Sequence, residues 1–206
     1  QVGVPITLSR INDEEIGVIE LGMSQFGEME RIAKIVNCDC ALVTNIGTAH
    51  IENLHTRENI RAEKFHIMDG MKEGSVVFLN ADNDLLFDPP KEKGIVYKYF
   101  SAKGNTSCDY YATDIVFNNA MPEFTAHIGG KKVRVHLNVF GEHQISNALV
   151  AIAVADHYNL SVESAAKHLE EFRGFSHRQE LIKLKELTVI DDTYNASPDS
   201  MRASIS

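Results

Sequence analysis

Cysteine is scarce in this chain of 206 residues: Cys38, Cys40 and Cys108 are the three present. They form neither a Cys-x-x-Cys pair nor an even set, which argues against a disulfide scaffold or a structural zinc site. Reduced thiols in a cytoplasmic protein are expected. No uninterrupted apolar run is long enough to span a bilayer, and the opening residues lack the basic and apolar regions of a signal peptide, so membrane insertion is not expected. Basic charge is also in short supply, with 20 Lys and Arg against 29 Asp and Glu and a net charge of -9. Together with a pI near 5.4, that balance speaks against a nucleic-acid or anionic-membrane binder, which presents excess Lys and Arg to phosphates. Any phosphate here must be held locally, by a metal or a few basic residues. There is no internal repeat and no low-complexity tract. Nor is there an initiating Met: the chain opens in QVGVPITL, and the start of the protein is expected upstream of Gln1.

What is present is an ordinary globular composition, 44% hydrophobic, sufficient for one large domain or one domain plus a fragment of another. The most informative stretch is residues 41–64, ALVTNIGTAHIENLHTRENIRAEK. An apolar run ends in Thr44 and Asn45, turns through Gly47, presents His50 and leads into a helix carrying Lys64. This is the pattern of strand, loop and helix in a parallel α/β sheet, whose ligands bind at loops after the strand carboxyl ends. Asn45, His50 and Glu52 thus sit where chemistry is expected, the alternative being a merely solvated loop.

Residues 1–10 read as a loop-like opening with Gly3 and Pro5. Residues 16–21, IGVIEL, read as a buried strand ending near Glu20. A carboxylate there needs a cation, a salt-bridge partner or a helix end, because an unpaired buried charge is costly. Residues 27–36 carry apolar positions at helical spacing. Residues 41–46 read as a strand and 57–71 as one helix, with Ile60, Lys64, Ile67, Met68 and Met71 near one another; Lys64 either snorkels to solvent or serves a site. Residues 75–80 read as a strand and 81–93 as a loop. From residue 94 the period shortens, and 95–100, 110–117, 123–128 and 132–137 read as strands of a small antiparallel subdomain, with Gly129-Gly130 as a hairpin turn. Residues 143–158 read as a buried helix that sets Asn147 beside the interior, either in a local hydrogen bond or facing a planar ligand. Residues 161–172 form a further helix with Ser161 as its cap, and 173–178 a hinge. Residues 179–185 and 187–190 read as strands, followed by a polar loop and a helix opening near Pro198.

Taken together, GVIELGMSQFGEM, ALVTNIGTAHIENL, the Lys64 helix, GEHQISNALVAIAVA, HRQE and VIDDTYNASPDSM resemble the Mur ligases along essentially the whole chain. Within that family the DDTYNASPDSM block points to the branch that joins D-alanyl-D-alanine to UDP-MurNAc-tripeptide. The resemblance implies an α/β central ATPase domain, with a mostly parallel sheet flanked by helices and a small antiparallel subdomain, over residues 1–177. Residues 178–206 are then the beginning of a Rossmann-like C-terminal domain. It further implies ATP and Mg2+ as cofactors. Glu20 and His50 would help hold magnesium, and Lys64 matches a lysine that is carbamylated in the family and so offers oxygen ligands. Asn45 would orient phosphate or the acyl group, Asn147 contact adenine, Arg178 reach the phosphates and Asp192 the ribose. Tyr194, Asn195 and Ser197 belong to a loop brought over the site by the C-terminal domain.

The family chemistry transfers the ATP γ-phosphoryl group to a carboxylate, and the amine of D-Ala-D-Ala then attacks the acyl phosphate. Hard magnesium prefers oxygen, so Glu20 and a Lys64 carbamate suit it better than His50. This sequence departs from the family in lacking the glycine-rich phosphate loop, expected upstream of Gln1, and the UDP-binding domain. Gln144 also stands where the family usually has Asn. The chain by itself is therefore expected neither to bind ATP tightly nor to ligate. Two alternatives stand beside this reading: a related ligase acting on another carboxylate, of the folylpolyglutamate or cyanophycin kind, and a catalytically silent Mur-like domain with a structural or regulatory role.

Overall fold

The structure is a computed structural model describing residues 2–92 and 94–205. The chain divides into two compact units. The first comprises Gln1–Leu79 and Asn83–Lys98, the second Asn80–Asp82 and Tyr99–Ser206.

The first unit opens with a helix, α1 (Gly3–Leu8), where the sequence suggested a loop. Pro5 is tolerated because it lies in the first turn, where its missing N–H needs no partner, and the Thr7 hydroxyl donates back to the Gly3 carbonyl at 3.1 Å. Residues 16–21 form no strand, and Val18 is 92% exposed, so the buried strand expected there is not found. An apolar run becomes a strand only when a neighbouring backbone completes its hydrogen bonds, and no described strand does so.

Helix α2 (Glu28–Val36) follows the expected spacing. It buries Met29, Ile32 and Ala33, with Glu28 and Glu30 in its first turn and Lys34 in its last, the order that the helix dipole favours. Strand β1 (Cys40–Val43) is shorter than the run 41–46 and pairs in parallel with β2 (Val76–Asn80), from Cys40↔Val76 to Val43↔Leu79. Val77, Phe78 and Leu79 are fully buried, as a strand covered on both faces requires.

Between the two strands lie α3 (Ile51–Leu54), which the sequence did not suggest, and α4 (Arg57–Phe65). Thr56 caps α4 by accepting the Asn59 N–H at 3.1 Å. The single helix expected over 57–71 instead tightens at residue 66 into a 3-10 helix, His66–Gly70. Gly70 explains the close approach there: a Cβ on it would lie 2.1 Å from the Ala33 carbonyl oxygen of α2.

Strand β3 (Val96–Ser101) begins in the first unit, where the Val96 N–H donates to the Ser75 carbonyl at 2.9 Å, and ends in the second. There Phe100↔Tyr110 and Ser101↔Tyr111 pair it in parallel with β4 (Tyr110–Asn118). The wholly antiparallel subdomain expected over 94–139 is thus corrected: β4, β5 (Met121–Ile128) and β6 (Lys131–His136) form an antiparallel meander, but β3 does not share its direction. Strand β5 buries alternate residues Pro122, Phe124, Ala126 and Ile128. Gly129 and Gly130, with φ of 54° and 83°, make its two-residue turn to β6, the doubly positive φ that a type I′ hairpin demands. Asp82 secures the turn after β3, accepting the Ser101 hydroxyl at 2.6 Å and the Ala102 N–H at 2.7 Å.

Helix α5 (His143–His157) buries Ile145, Ala148, Leu149, Val150, Ile152 and Ala153. Helix α6 (Val162–Glu171) starts at the expected cap, the Ser161 hydroxyl accepting the Ser164 N–H at 3.1 Å. The chain continues into an antiparallel pair, β7 (Glu180–Lys183) and β8 (Thr188–Asp191), and then α7 (Pro198–Ile205).

Candidate active site

In the first unit the polar loop after β1 and the helix it feeds are tied together. Lys64 Nζ donates to the Asn45 carbonyl at 2.7 Å. Lys64 is half-buried, and that burial pulls its pKa below the usual lysine value. A depressed amine has a larger neutral, nucleophilic fraction near neutral pH than an exposed lysine. The Asn45 side chain accepts from Asn83 Nδ2 at 2.6 Å, which orients its carboxamide. Arg57 clamps the same loop: Nη2 donates to the Ile46 carbonyl at 2.8 Å, while Nη1 and Nη2 grip the two oxygens of Asp84 at 2.8 and 2.6 Å. The fork geometry makes this a directional tie.

His50 is exposed and adopts φ 62° at the start of α3, and Glu20 is exposed in the irregular segment before α2. Among the described residues, neither belongs to a group of three His, Cys, Asp or Glu side chains with converging ligand atoms. The structure therefore joins Asn45 to Lys64 directly, and among the described residues no such link brings in Glu20 or His50.

Sequence reasoning missed Glu63. It is 3% exposed, and its carboxylate accepts the Met29 N–H at 2.9 Å and the Gly27 N–H at 3.1 Å, capping α2 from α4. The signal was present, since Ile60 and Ile67 bracket Glu63 at helical spacing as well as they bracket Lys64. Arg57, Asn83 and Asp84 were missed as well; partners 27 and 38 residues apart leave no local pattern.

In the second unit Asn147 is exposed on α5, off the buried face, so its expected place beside the interior is not found. Its Nδ2 donates to Gln144 Oε1 at 3.1 Å, which leaves the amide at an open helix face. Partial burial lowers the His143 pKa, and the charge of Asp192 opposes that shift. The Arg178 guanidinium stacks on the Tyr194 ring, 3.9 Å from its centroid. The cysteines are free, as expected, and burial pushes the Cys40 thiol up to about 11.

A family model, the Mur ligase middle domain, matches residues 1–155. The chain belongs to the Mur ligase family. The UDP-N-acetylmuramoyl-tripeptide--D-alanyl-D-alanine ligase of Bacillus subtilis (strain 168) is 35% identical over 206 residues, covering 99% of this chain and 44% of that protein. Among solved structures, MurF from Acinetobacter baumannii superimposes with a TM-score of 0.91 at 32% identity over 98% of this chain and 44% of its own. MurF ligase from Thermotoga maritima, in complex with ADP, gives a TM-score of 0.82 at 26% identity, covering 98% of this Mur ligase chain and 47% of its own. The chain thus spans somewhat under half the length of the relatives it matches. The α/β fold expected from the sequence is the fold of these proteins.

Proposed function

We propose that the protein to which this chain belongs is an ATP-dependent amide ligase of peptidoglycan precursor synthesis. It joins D-Ala-D-Ala to UDP-MurNAc-tripeptide through an acyl phosphate, in the cytoplasm. The observation that carries this is the match along 99% of the chain to a ligase of that specificity, supported by the Lys64 and Asn45 pair at the loop where the family chemistry belongs. In this reading residues 1–177 are the central ATP-binding domain and 178–206 begin the C-terminal ligase domain.

Glu20, His50 and Lys64 are the proposed magnesium residues. The donor set fits a hard cation in part. The exposed Glu20 carboxylate is free to supply oxygen, whereas Lys64 supplies it only as a carbamate. The depressed Lys64 amine favours that modification: the neutral amine attacks CO2, forming an N–C bond and releasing one proton. Magnesium, when bound, offsets the repulsion between the ATP phosphates and the substrate carboxylate. The Arg57, Asp84 and Asn83 tie holds the Asn45 loop so that its carboxamide meets the phosphate or acyl oxygen without reorganising. Arg178 provides the cation for the phosphates, Asn147 the donor and acceptor pair for adenine, and Asp192 the acceptor for the ribose hydroxyls.

The test is ligation by the full-length parent, followed as ADP released and as product from UDP-MurNAc-tripeptide and D-Ala-D-Ala. Lys64→Ala is expected to lower turnover by at least about a hundredfold, the range for loss of an electrostatic group in a reaction centre. Unchanged turnover would sink the carbamate assignment, and failure of the wild-type parent to use D-Ala-D-Ala would sink the specificity. The 206-residue chain alone is expected to show no ligation.

A further inference from the structure

The HRQE segment contributes Arg178 to the function above, and its His177 is anchored at three points. Its backbone N–H donates to Glu180 Oε2 at 3.1 Å, and its carbonyl accepts the Tyr194 N–H at 3.0 Å. Its ring Nδ1 lies 2.8 Å from Asp191 Oδ2. A carboxylate can only accept, so Nδ1 carries the proton. Glu180 and Asp191 face each other at the end of the β7 and β8 ladder, so both strands are engaged by one residue. The carboxylates are held in turn: Glu180 Oε2 accepts the Ser176 hydroxyl at 2.8 Å, and Asp191 Oδ1 accepts the Thr193 hydroxyl at 2.7 Å and its N–H at 3.1 Å. His177 has φ 64°, the left-handed region, which turns the chain back so that Arg178 lies on Tyr194.

An exposed pair of this kind contributes little alone. Here it is one of three bonds from a single residue: those to Asp191 and Tyr194 tie the turn bearing Arg178 to the segment bearing Asp192, and the one to Glu180 closes the turn itself. We propose that His177 is a positioning residue that fixes the spacing between the phosphate-binding Arg178 and the ribose-binding Asp192, and so sets ATP affinity. The proposal rests on the assignment of those two residues to ATP. The same His177, Glu180 and Asp191 side chains have potential metal-ligand atoms within 4.8 Å of one another. Because each of those side chains already has a hydrogen-bond partner, the arrangement reads as a knot rather than as an open cation site.

The experiment uses the full-length parent and steady-state kinetics with ATP and D-Ala-D-Ala varied separately. His177→Ala is expected to raise the KM for ATP about tenfold, the scale of a lost orienting contact, with the KM for D-Ala-D-Ala within about twofold of wild type. His177→Asn is expected to return the KM for ATP to within about threefold of wild type, because Asn accepts a positive φ and places an N–H near the position of Nδ1. His177→Gln, whose amide sits one carbon farther out, is expected to behave like Ala. A general loss of folding would move both KM values or kcat in all three variants alike, and that result overturns the proposal. So does an unchanged KM for ATP in His177→Ala. Arg178→Ala separates the two levels of the argument. If it raises the KM for ATP while His177→Ala does not, positioning fails and the ATP assignment stands; if Arg178→Ala leaves it unchanged, the assignment fails and the positioning with it. A zinc-dependent change in the KM for ATP that is lost in His177→Ala also overturns the proposal, in favour of a metal site.

Discussion

Replacing Glu63 by Ala probes the link between α4, the helix that bears Lys64, and α2. The substitution removes the acceptor of two N–H groups at the start of α2, and the surroundings decide the cost. The Met29 bond is buried, so its amide is left without water and the loss is about 2 kcal/mol. The Gly27 amide is partly buried and can rehydrate, for roughly 0.5–1 kcal/mol. Removing the buried γ-methylene adds about 0.8 kcal/mol. The total is about 3–4 kcal/mol, which for a chain of this size lowers Tm by roughly 6–15 °C. Urea unfolding of the 206-residue chain, followed by far-UV circular dichroism, should show this as a lower midpoint with an unchanged m-value. Glu63→Gln retains one acceptor and is expected to fall between wild type and Ala. A loss below about 1 kcal/mol in Glu63→Ala would refute the reasoning, since it would mean that the Met29 amide finds another partner or that α2 does not depend on this cap.

Three further expectations follow from the same structure. Gly70→Ala should destabilise by about 2 kcal/mol or more, because its Cβ would meet the Ala33 carbonyl oxygen at 2.1 Å and backbone cannot give way; Gly3→Ala, with nothing within 4 Å, is the neutral control, and equal melting curves for the two would contradict this. At pH 8 only about a thousandth of a thiol with a pKa of about 11 is ionised, so Cys40 should react with a disulfide reagent far more slowly in the folded chain than in urea; similar rates would count against its burial. NMR titration of isotopically methylated lysines should place Lys64 below the exposed lysines. The unfolded amine keeps its proton to about pH 10.4, so stability rises with pH between the depressed folded value and that limit, and a Lys64→Met variant should lose this rise.

The elements that the sequence made legible are those whose pattern is local. The apolar core of β2, the alternation of β5, the Gly129-Gly130 turn and the Ser161 cap each follow from residues within a few positions of one another. What was missed depends on distant backbone. The run 16–21 has strand composition, but no described strand completes its hydrogen bonds. The direction of β3 against β4 is decided by the path of residues 102–109 and not by the period of either strand. At the candidate site, Asn45 and Lys64 were legible as members of one stretch of strand, loop and helix, and their direct contact spans only 19 residues. Glu63, Arg57 and Asp84 were not, since they act across 27 to 36 residues. Asn147 was expected beside the interior from the Ala-rich helix around it, yet its own angular position on α5 lies off the face set by Ile145, Leu149 and Ile152.

The division of the chain carries a consequence for dissecting it. Residues Asn80–Asp82 belong to the second unit although the first resumes at Asn83 and runs to Lys98. The polypeptide therefore changes unit three times, and no single cut yields two intact pieces. A truncation starting at Tyr99 would retain the meander and the later helices but lose Asp82, and with it the acceptor for the Ser101 hydroxyl and the Ala102 amide. Conversely, a piece ending at Lys98 keeps the Lys64 loop intact but carries three residues cut off from the unit they pack with. Independent expression of either half is best attempted with the tripeptide grafted ahead of Tyr99 and the gap between Leu79 and Asn83 bridged by a neutral turn.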